Sequence, residues 1–281
     1  MSLPRRDFVQ VTGAACLAAI LPPQLLDASG DKLGRIGIQL YTVRQALDAD
    51  FAGTLERLAT IGYKEVEFAW NRGTTPADTR KTLQRTGLTA PAAHLTVADF
   101  EAGWDATVAI AHTLGVHYLV LAWIDADQRT TLDDYRRWAE RFNGFGRKAR
   151  AAGFRFGYHN HAEELTPIDG QRPYDILLQE TDPAEVAFEM DLYWVLEGGG
   201  DPLAYFAKWP GRFPLVHVKG RAPDGRMVDV GAGSVDWAAI FAKRNEAGIR
   251  HYFVEHDEPA DAFASAAASY QYLRALRFRD A

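Results

Sequence analysis

Residues 132–161 read LDDYRRWAERFNGFGRKARAAGFRFGYHNH, and this stretch contains one complete unit of the fold. Residues 132–152 have the apolar spacing of an amphipathic helix. Gly153 follows, and a glycine just past a helix ends it by adopting the left-handed conformation at little cost. Residues 154–160 then form a short apolar run that predicts a buried strand. A helix that passes through a glycine into a buried strand is typical of a parallel sheet.

The same unit recurs along the chain. Strands are predicted at 35–41, 64–69, 89–95, 117–122, 154–160, 185–192, 215–219 and 251–255. Helices are predicted between them, including 51–61, 76–86, 104–114 and 237–247. Eight such units predict a (β/α)8 TIM barrel over residues 34–281. The alternative, an open doubly wound sheet, usually carries a glycine-rich phosphate loop after its first strand, and residues 39–44 lack one.

The composition indicates a globular protein and argues against nucleic-acid binding. Of 281 residues, 47% are hydrophobic and 24% are charged, and the formal net charge is -6. An acidic chain without a basic stripe lacks the electrostatic footprint of a nucleic-acid-binding protein. The one cysteine, Cys16, lies near the N-terminus, so a metal in the barrel would need nitrogen and oxygen ligands.

Residues 1–30 have the layout of a signal peptide. Arg5 and Arg6 precede an apolar run at 11–21, and the pair resembles a twin-arginine signal. The run is too short to span a bilayer, so no stable membrane span is expected. The pattern predicts recognition by the twin-arginine export machinery and a periplasmic location. A disordered or amphipathic N-terminal segment is the alternative interpretation.

Alternation of side chains along the strands brings polar residues to one rim of the barrel. Phe156 and Tyr158 face the helices, so His159 and His161 face the barrel axis. The same alternation predicts further inward polar groups in the other strands: Glu65, Glu67, Glu189, Asp191, His217, Lys219 and Glu255, with His94 at the end of the third strand. Barrel enzymes have their active sites at the C-terminal ends of the strands.

Four of these groups predict a site for a single divalent cation. Buried charges without partners are costly, so the inward ring of His159, Asp191, His217 and Glu255 needs a metal or tight pairing. Two imidazoles and two carboxylates suit Mn, Co, Zn, Fe or Mg. A single inward histidine at a strand end is more often structural than a metal ligand. Inward ionisable residues at four consecutive strand ends favour a metal site instead. Aromatic residues after the strand ends, namely Trp70, Trp123, Tyr193 and Trp194, are suited to stacking on a sugar, although core packing explains any one of them equally well.

Several segments, in this order, carry a family resemblance: GIQLYTVR (37–44), GYKEVE (62–67), GYHNH (157–161), EMDLYW (189–194), HVKG (217–220), GAGSVDW (231–237) and VEH (254–256). Together they resemble the sugar phosphate isomerase/epimerase family, whose members have xylose isomerase-like TIM barrels. The resemblance covers about residues 34–277. It implies one divalent ion, often manganese, held by the residues that end strands five to eight, here His159, Asp191, His217 and Glu255.

One position departs from the family pattern. Many ketose 3-epimerases of the family have a glutamate where this chain has His159, and they use two metal-bound glutamates on opposite faces of the sugar. A lyase or dehydratase branch has a histidine base two residues further on, like His161. This sequence looks closer to that branch.

The resemblance implies abstraction of a proton α to a carbonyl, with the metal stabilising the enediolate. His161 is the first choice as general base and Glu255 the second, while Lys219 would neutralise charge on an oxygen or act as an acid. Substrate binding is predicted for Gln39, Glu67, His94 and Trp194. Isomerisation, epimerisation and elimination all remain open outcomes.

The expected partner is a small carbohydrate, and because of the predicted export a free sugar, keto-sugar, cyclitol, inosose or 3-keto-glycoside is favoured over a sugar phosphate. A homo-oligomer is compatible with the sequence. Two other classes remain: a non-catalytic exported sugar-binding protein, and a glycosidase using two carboxylates such as Glu67 and Glu255. An endonuclease with several zinc ions is disfavoured by the acidic charge.

Overall fold

The computed structural model describes residues 32–69 and 74–279. Eight parallel strands close into a barrel, so the predicted (β/α)8 TIM barrel is confirmed. The barrel strands are β1 (Gly37–Gln39), β2 (Glu65–Phe68), β3 (Thr89–Leu95), β4 (Tyr118–Leu121), β5 (Arg155–His159), β6 (Val186–Asp191), β7 (Leu215–Val218) and β10 (His251–Val254), which closes the barrel against β1. The remaining two, β8 (Gly220–Arg221) and β9 (Met227–Val228), form a separate short hairpin between β7 and β10. The predicted signal segment 1–30, Cys16 and Trp70 lie outside the described residues.

Helices follow the barrel strands and cover the outside of the barrel. They are α1 (Arg44–Ala49), α2 (Phe51–Ile61), α3 (Pro76–Thr86), α4 (Val97–Phe100), α5 (Trp104–Leu114), α6 (Leu132–Ala151), α7 (Pro173–Glu180), α8 (Leu192–Glu197), α9 (Pro202–Lys208), α10 (Trp237–Ala242), α11 (Arg244–Ala247) and α12 (Ala262–Ala275). The helix predicted at 237–247 is therefore two short helices. None of the described helices has the length and apolar character that crossing a membrane requires.

The first strand is shorter than its apolar run predicts. The chain turns into a 3-10 helix at Leu40–Val43 because the Gln39 side-chain oxygen accepts a hydrogen bond from the Tyr41 amide at 3.1 Å. At the ends of α3 and α5 the predicted glycine stops are present, with φ of 71° at Gly87 and 78° at Gly115.

Two separate apolar layers hold the barrel together. The larger one lies between strands and helices, where Phe142 of α6 packs on Phe156 and Tyr158 of β5 with ring centroids 5.4 and 4.7 Å apart. The smaller one fills the barrel interior and contains Ala92, Tyr118, Val120, Ala187, Leu215 and Phe253. A Cβ at Gly37 would lie 2.5 Å from Phe253, so this glycine makes room for the ring. The interior layer separates the two polar ends of the barrel.

At the N-terminal end, Glu65 is buried with two cationic or polar partners. Its carboxylate lies 3.0 Å from Arg35 Nε and 2.8 Å from His251 Nδ1. A closed ion-pair network at this end is typical of a structural role in a TIM barrel. The C-terminal end carries the remaining inward polar groups.

Candidate metal centre

The alternation predicted for the strands is present, and it brings the polar residues of β5, β6, β7 and β10 together at the C-terminal end. Phe156, Tyr158, Phe188 and Met190 belong to the outer apolar layer. The residues between them face inward. The pairing of β6 with β7 places Asp191 directly beside His217. All four predicted ligands are buried, and each is at most 7% exposed.

Asp191, His217 and Glu255 form one group whose ligand atoms all lie within 4.8 Å of one another. His217 Nδ1 is 2.8 Å from Glu255 Oε2 and 3.9 Å from Asp191 Oδ2. We call these three residues the upper group. His159, the fourth predicted ligand, approaches the upper group from one side, with its Nε2 3.7 Å from Asp191 Oδ2.

The two oxygens of Asp191 have different surroundings. Oδ1 caps α8 by accepting a hydrogen bond from the Trp194 amide at 3.0 Å. Oδ2 is buried, has no hydrogen bond of good geometry from any described residue, and lies 3.1 Å from the Lys219 ammonium. A buried carboxylate oxygen needs a positive partner, which this ammonium supplies and a bound cation would also supply. With an imidazole nitrogen and a second carboxylate beside it, the upper group fits a divalent cation.

Lys219 supplies the positive charge near the upper group. Its ammonium lies 2.8 Å from Glu255 Oε2, 3.1 Å from Asp191 Oδ2 and 2.9 Å from Asp257 Oδ1, and the residue is 2% exposed. Asp257 was missed by the sequence analysis; it follows β10 by three positions, beyond the reach of the strand alternation. The ammonium therefore neutralises the carboxylates when they are without a cation.

A second cluster lies beside the upper group and shares His217 with it. It contains His94, His159, Glu189 and His217, whose ligand atoms also fall within 4.8 Å of one another. Glu189 Oε2 is 2.5 Å from His94 Nε2 and 3.2 Å from His159 Nδ1. Glu67 joins from β2, with its Oε2 2.6 Å from His217 Nε2. The strand alternation had placed Glu189 inward, yet no site role had been predicted for it.

Burial and pairing shift the pKa values of the acids in opposite directions. Burial raises the pKa of Asp191 to about 6, and burial together with Glu189 raises that of Glu67 to about 7. For Glu189, burial is outweighed by His217 and His94, so its pKa falls well below the usual range. Burial of Glu255 is likewise outweighed by Lys219 and His217, which lower its pKa well below the usual range.

The basic groups fall into two classes. Burial would lower the pKa of Lys219 and of His217, but the neighbouring carboxylates raise both well above their usual values. Burial would also lower the pKa of His94, but Glu67 and Glu189 raise it above its usual value. Burial lowers the pKa of His159 well below its usual value. Burial and the nearby Lys219 charge lower the pKa of His161 to about 4, so this imidazole is neutral at pH 7.

A cavity of about 790 Å³ opens above these residues. Its described lining consists of Tyr41, Ala69, His94, Ala122, Trp123, His159, His161, Lys219, Arg226, Met227, Glu255, His256, Asp257 and Glu258. A volume of this size accommodates a monosaccharide or a larger ligand. Asp191 and His217 lie beneath the cavity floor, since both are 0% exposed.

Three of the predicted substrate-binding residues do not line this cavity. Gln39 and Glu67 are 0% exposed and hydrogen-bond each other at 2.8 Å, because both face inward from adjacent strands below the rim. Trp194 packs behind the rim, with its ring 5.8 Å from that of His161 and 5.5 Å from Lys219 Nζ. Of the four, His94 lines the cavity.

The predicted base, His161, lies on the cavity wall just beyond β5. Its ring centroid is 5.0 Å from that of His159. The following 3-10 turn, Glu163–Leu165, fixes this segment because Glu164 Oε2 accepts the His161 amide hydrogen at 2.8 Å. Glu164 is 1% exposed and was also missed by the sequence analysis. The base position is therefore held by a buried carboxylate from its own loop.

The comparisons with known proteins agree with this architecture. Residues 55–276 match the family model described as xylose isomerase-like TIM barrel. The chain is similar to the crystal structure of a sugar phosphate isomerase/epimerase from Parabacteroides distasonis ATCC 8503, with 29% identity and a TM-score of 0.76 over 95% of this chain and 98% of that one. A second sugar phosphate isomerase/epimerase structure from the same organism has 28% identity and a TM-score of 0.74, over 85% and 97% of the two chains.

The chain is also similar to an inosose dehydratase of Lacticaseibacillus casei. The two are 25% identical over 170 residues, which is 54% of this chain and 55% of that protein. The match thus spans little more than half the length of this curated relative.

Proposed function

Because the chain belongs to the xylose isomerase-like TIM barrel family, we propose that it is a divalent-metal-dependent enzyme acting on a sugar or cyclitol. The reaction would begin with removal of a proton from the carbon next to a carbonyl. The observation that carries this proposal is the position of His161, which lines the same cavity as Glu255 of the upper group and Lys219. A base and a cation site that face one cavity are what such a proton abstraction needs.

Asp191, His217 and Glu255 would hold the cation, with His159 as the fourth ligand. Manganese is the first choice from the family resemblance, and Co, Zn, Fe and Mg also suit this ligand set. When bound, the cation would supply Lewis-acid polarisation of the substrate carbonyl and so acidify the adjacent C–H bond.

The remaining groups have separate tasks. His161 takes the proton, since a neutral imidazole has a free nitrogen lone pair. The Lys219 ammonium lies on the same wall, and its positive charge would stabilise a substrate oxygen that gains negative charge. Trp123 is 42% exposed at the opening of the cavity and offers a flat apolar face to a carbohydrate ring.

The outcome we favour is one in which a single base works from one face of the substrate. Inversion at the α-carbon needs a second acid or base on the opposite face. Glu255 is a poor candidate for that role because His217 and Lys219 both contact its Oε2 at 2.8 Å. With His161 alone, the proton passes to the neighbouring carbon, or to a β-hydroxyl that leaves as water as the C–H and C–O bonds break and a C=C bond forms. The similarity to an inosose dehydratase supports the second course.

An uncharged substrate is favoured over a sugar phosphate. Among the described residues of the lining, Lys219 contacts three carboxylates and Arg226 contacts Asp224 at 2.8 Å. The Lys219 ammonium is therefore not free to bind a phosphate dianion, whereas Arg226 is 75% exposed in its pair with Asp224. Free keto-sugars, inososes and 3-keto-glycosides remain the substrate classes to test.

The test is turnover by the metal-reconstituted protein in deuterated water with a panel of ketoses, inososes and 3-keto-glycosides. Deuterium in recovered substrate or its isomer indicates an isomerase, and loss of water or of an aglycone indicates a lyase. Elemental analysis of the purified protein should find about one divalent ion per chain. Binding of a carbohydrate without metal-dependent turnover would support a non-catalytic sugar-binding protein and contradict the proposal.

The role of His161 has its own test. His161→Ala should retain the metal and lose turnover by about 100-fold or more, the low end of what a general base contributes. The matched control is His117→Ala, which removes an exposed imidazole at the start of β4, at the far end of the barrel. Turnover by His161→Ala equal to that of the control would exclude His161 as the base.

A further inference from the structure

Trp123 and His161 reach the cavity from two loops that follow neighbouring strands. Trp123 lies two residues after the end of β4, and His161 lies two residues after the end of β5. The two strands pair in parallel, so both loops leave the barrel at the same end. Neither residue belongs to a strand, so contacts outside the sheet must fix the distance between the two side chains.

Arg129, six residues after Trp123, contacts both loops. Its Nε donates a hydrogen bond to the Ile124 carbonyl oxygen at 2.8 Å. Its Nη2 donates to Glu163 Oε1 at 3.1 Å, and its Nη1 lies 3.7 Å from Glu164 Oε1. The Arg129 side chain is only 16% exposed. A guanidinium is planar and has its donors in fixed directions, so it holds several partners in a defined arrangement.

On each side, the contact of Arg129 is next to a residue that lines the cavity. Ile124 is 1% exposed and directly follows Trp123 in the chain. Glu164 is also 1% exposed, and its Oε2 accepts a hydrogen bond from the His161 amide at 2.8 Å. A continuous series of contacts therefore connects the Trp123 loop, through Arg129 and Glu164, to the backbone of His161.

Stability of the turn is a poor explanation for this ion pair, because other contacts already hold the turn. The Leu165 amide donates to the Ala162 carbonyl oxygen at 3.1 Å. Leu165 is buried against the end of α8, where a Cβ at Gly198 would lie 2.3 Å from the Leu165 Cβ. A buried ion pair contributes little net stability compared with apolar residues of similar volume. A defined position for His161 explains the charged pair better.

We propose that Arg129 and Glu164 are positioning residues that hold the base, His161, at a fixed distance from Trp123, against which the substrate ring stacks. Neither belongs to the described lining of the cavity, so both act through residues that do. The roles of His161 and Trp123 rest on the proposed function. A base must lie within hydrogen-bond reach of the proton that it removes. A misplacement of about 1 Å can lower the rate on the order of 100-fold.

The first measurement is amide hydrogen exchange of the full-length protein, followed by mass spectrometry, and it needs no substrate. Glu164→Met keeps the length of the side chain but accepts no hydrogen bond from the His161 amide, so exchange should be faster at residues 160–166. Arg129→Met should exchange faster both there and at residues 122–128, because both loops lose a contact. Glu164→Gln keeps an acceptor oxygen and should exchange like wild type.

The second measurement is steady-state kinetics with a substrate that the wild type converts. Glu164→Met should lower kcat by about 10–100-fold and leave KM within about threefold, because His161 shifts while Trp123 stays in place. Arg129→Met should lower kcat to a similar extent and also raise KM by about threefold or more, because the stacking residue loses its support. Glu164→Gln should keep kcat within about threefold of wild type.

Glu185→Met is the matched control. The Glu185 side chain is 7% exposed and pairs with Arg150, whose Nε lies 3.0 Å from Glu185 Oε2. It directly precedes β6, at the end of the barrel away from the cavity. The substitution should lower the unfolding temperature and leave kcat and KM of the folded protein unchanged. A purely structural role for Glu164 predicts the same result for Glu164→Met.

Two results would overturn the positioning role: a Glu164→Met protein with the kcat of the Glu185→Met control, or an Arg129→Met protein whose exchange at residues 160–166 equals that of the control. If Glu164→Met does not fold, Arg129→Lys replaces it, because one ammonium cannot reach all the partners of the guanidinium, and wild-type kcat in that variant would contradict the proposal.

If the wild type converts no substrate of the panel, the proposed function fails. The exchange measurement still decides the link between the loops: faster exchange of Arg129→Met at both loops supports it, and unchanged exchange at either loop excludes it.

Discussion

Replacing Lys219 by methionine tests whether its ammonium is the counter-ion of the metal-free site. The side chain is 3% exposed and contacts three carboxylates at 2.8, 2.9 and 3.1 Å. At an effective dielectric constant of about 20, each contact has a Coulomb energy of about 5–6 kcal/mol. Desolvation of the buried charges offsets most of this attraction.

The methionine does not return Asp191 and Glu255 to water, so their charges remain buried without the ammonium, although His217 Nδ1 still lies 2.8 Å from Glu255 Oε2. Removing one member of a buried ion pair typically costs about 3–5 kcal/mol. For a protein of this size, 1 kcal/mol lowers the unfolding temperature by about 2–4 °C, so a fall of about 6–20 °C is expected. The assay is thermal unfolding followed by circular dichroism in the presence of a chelator.

Lys208→Met is the matched control. Lys208 is 57% exposed and contacts Asp175 at 3.2 Å, and exposed pairs of this kind contribute about 0–1 kcal/mol. Saturating Mn²⁺ should reduce the difference in unfolding temperature between Lys219→Met and wild type, because a bound cation neutralises the charge of the same carboxylates. A Lys219→Met protein that unfolds at the same temperature as Lys208→Met, with chelator present, would refute the counter-ion role.

Two further predictions concern acid stability and the hairpin beside the site. The pKa of His161 is lowered to about 4, below its usual 6.5, so between these pH values the unfolded chain binds more protons and stability falls as the pH falls. In urea unfolding at pH 4–6.5, the free energy of unfolding of His161→Asn should fall less steeply with pH than that of wild type. Equal slopes for the two proteins would contradict the lowered pKa. Gly220→Ala should lower the unfolding temperature by several degrees, because its Cβ would lie 2.4 Å from the carbonyl oxygens of Val228 and Asp229. Gly144→Ala in α6, whose Cβ would make an ordinary 4.0 Å contact with the end of the Arg147 side chain, should be neutral or stabilise by up to about 1 kcal/mol. An equal effect of the two substitutions on the unfolding temperature would exclude the steric explanation.

The fold was predictable because its signals are local. Each strand is a short apolar run, and a glycine often marks where a helix ends, so counting units was enough to identify a closed barrel. The lengths of the elements were less predictable. β1 is three residues long because the Gln39 side chain turns the chain at Tyr41, and a side-chain to backbone contact of this kind leaves no periodic pattern.

The sequence by itself determined which residues face the barrel axis, since side-chain direction alternates along a strand irrespective of its neighbours. It therefore placed His159, Asp191, His217 and Glu255 on one rim. Only the tertiary structure decided their depth and partners, because those depend on the relative register of strands that are distant in the chain. Register puts Glu67 and Glu189 beneath the histidines, Lys219 between three carboxylates and His161 on the cavity wall. Residues beyond the strand ends, such as Asp257 and Glu164, take their positions from loops, for which the sequence has no such rule.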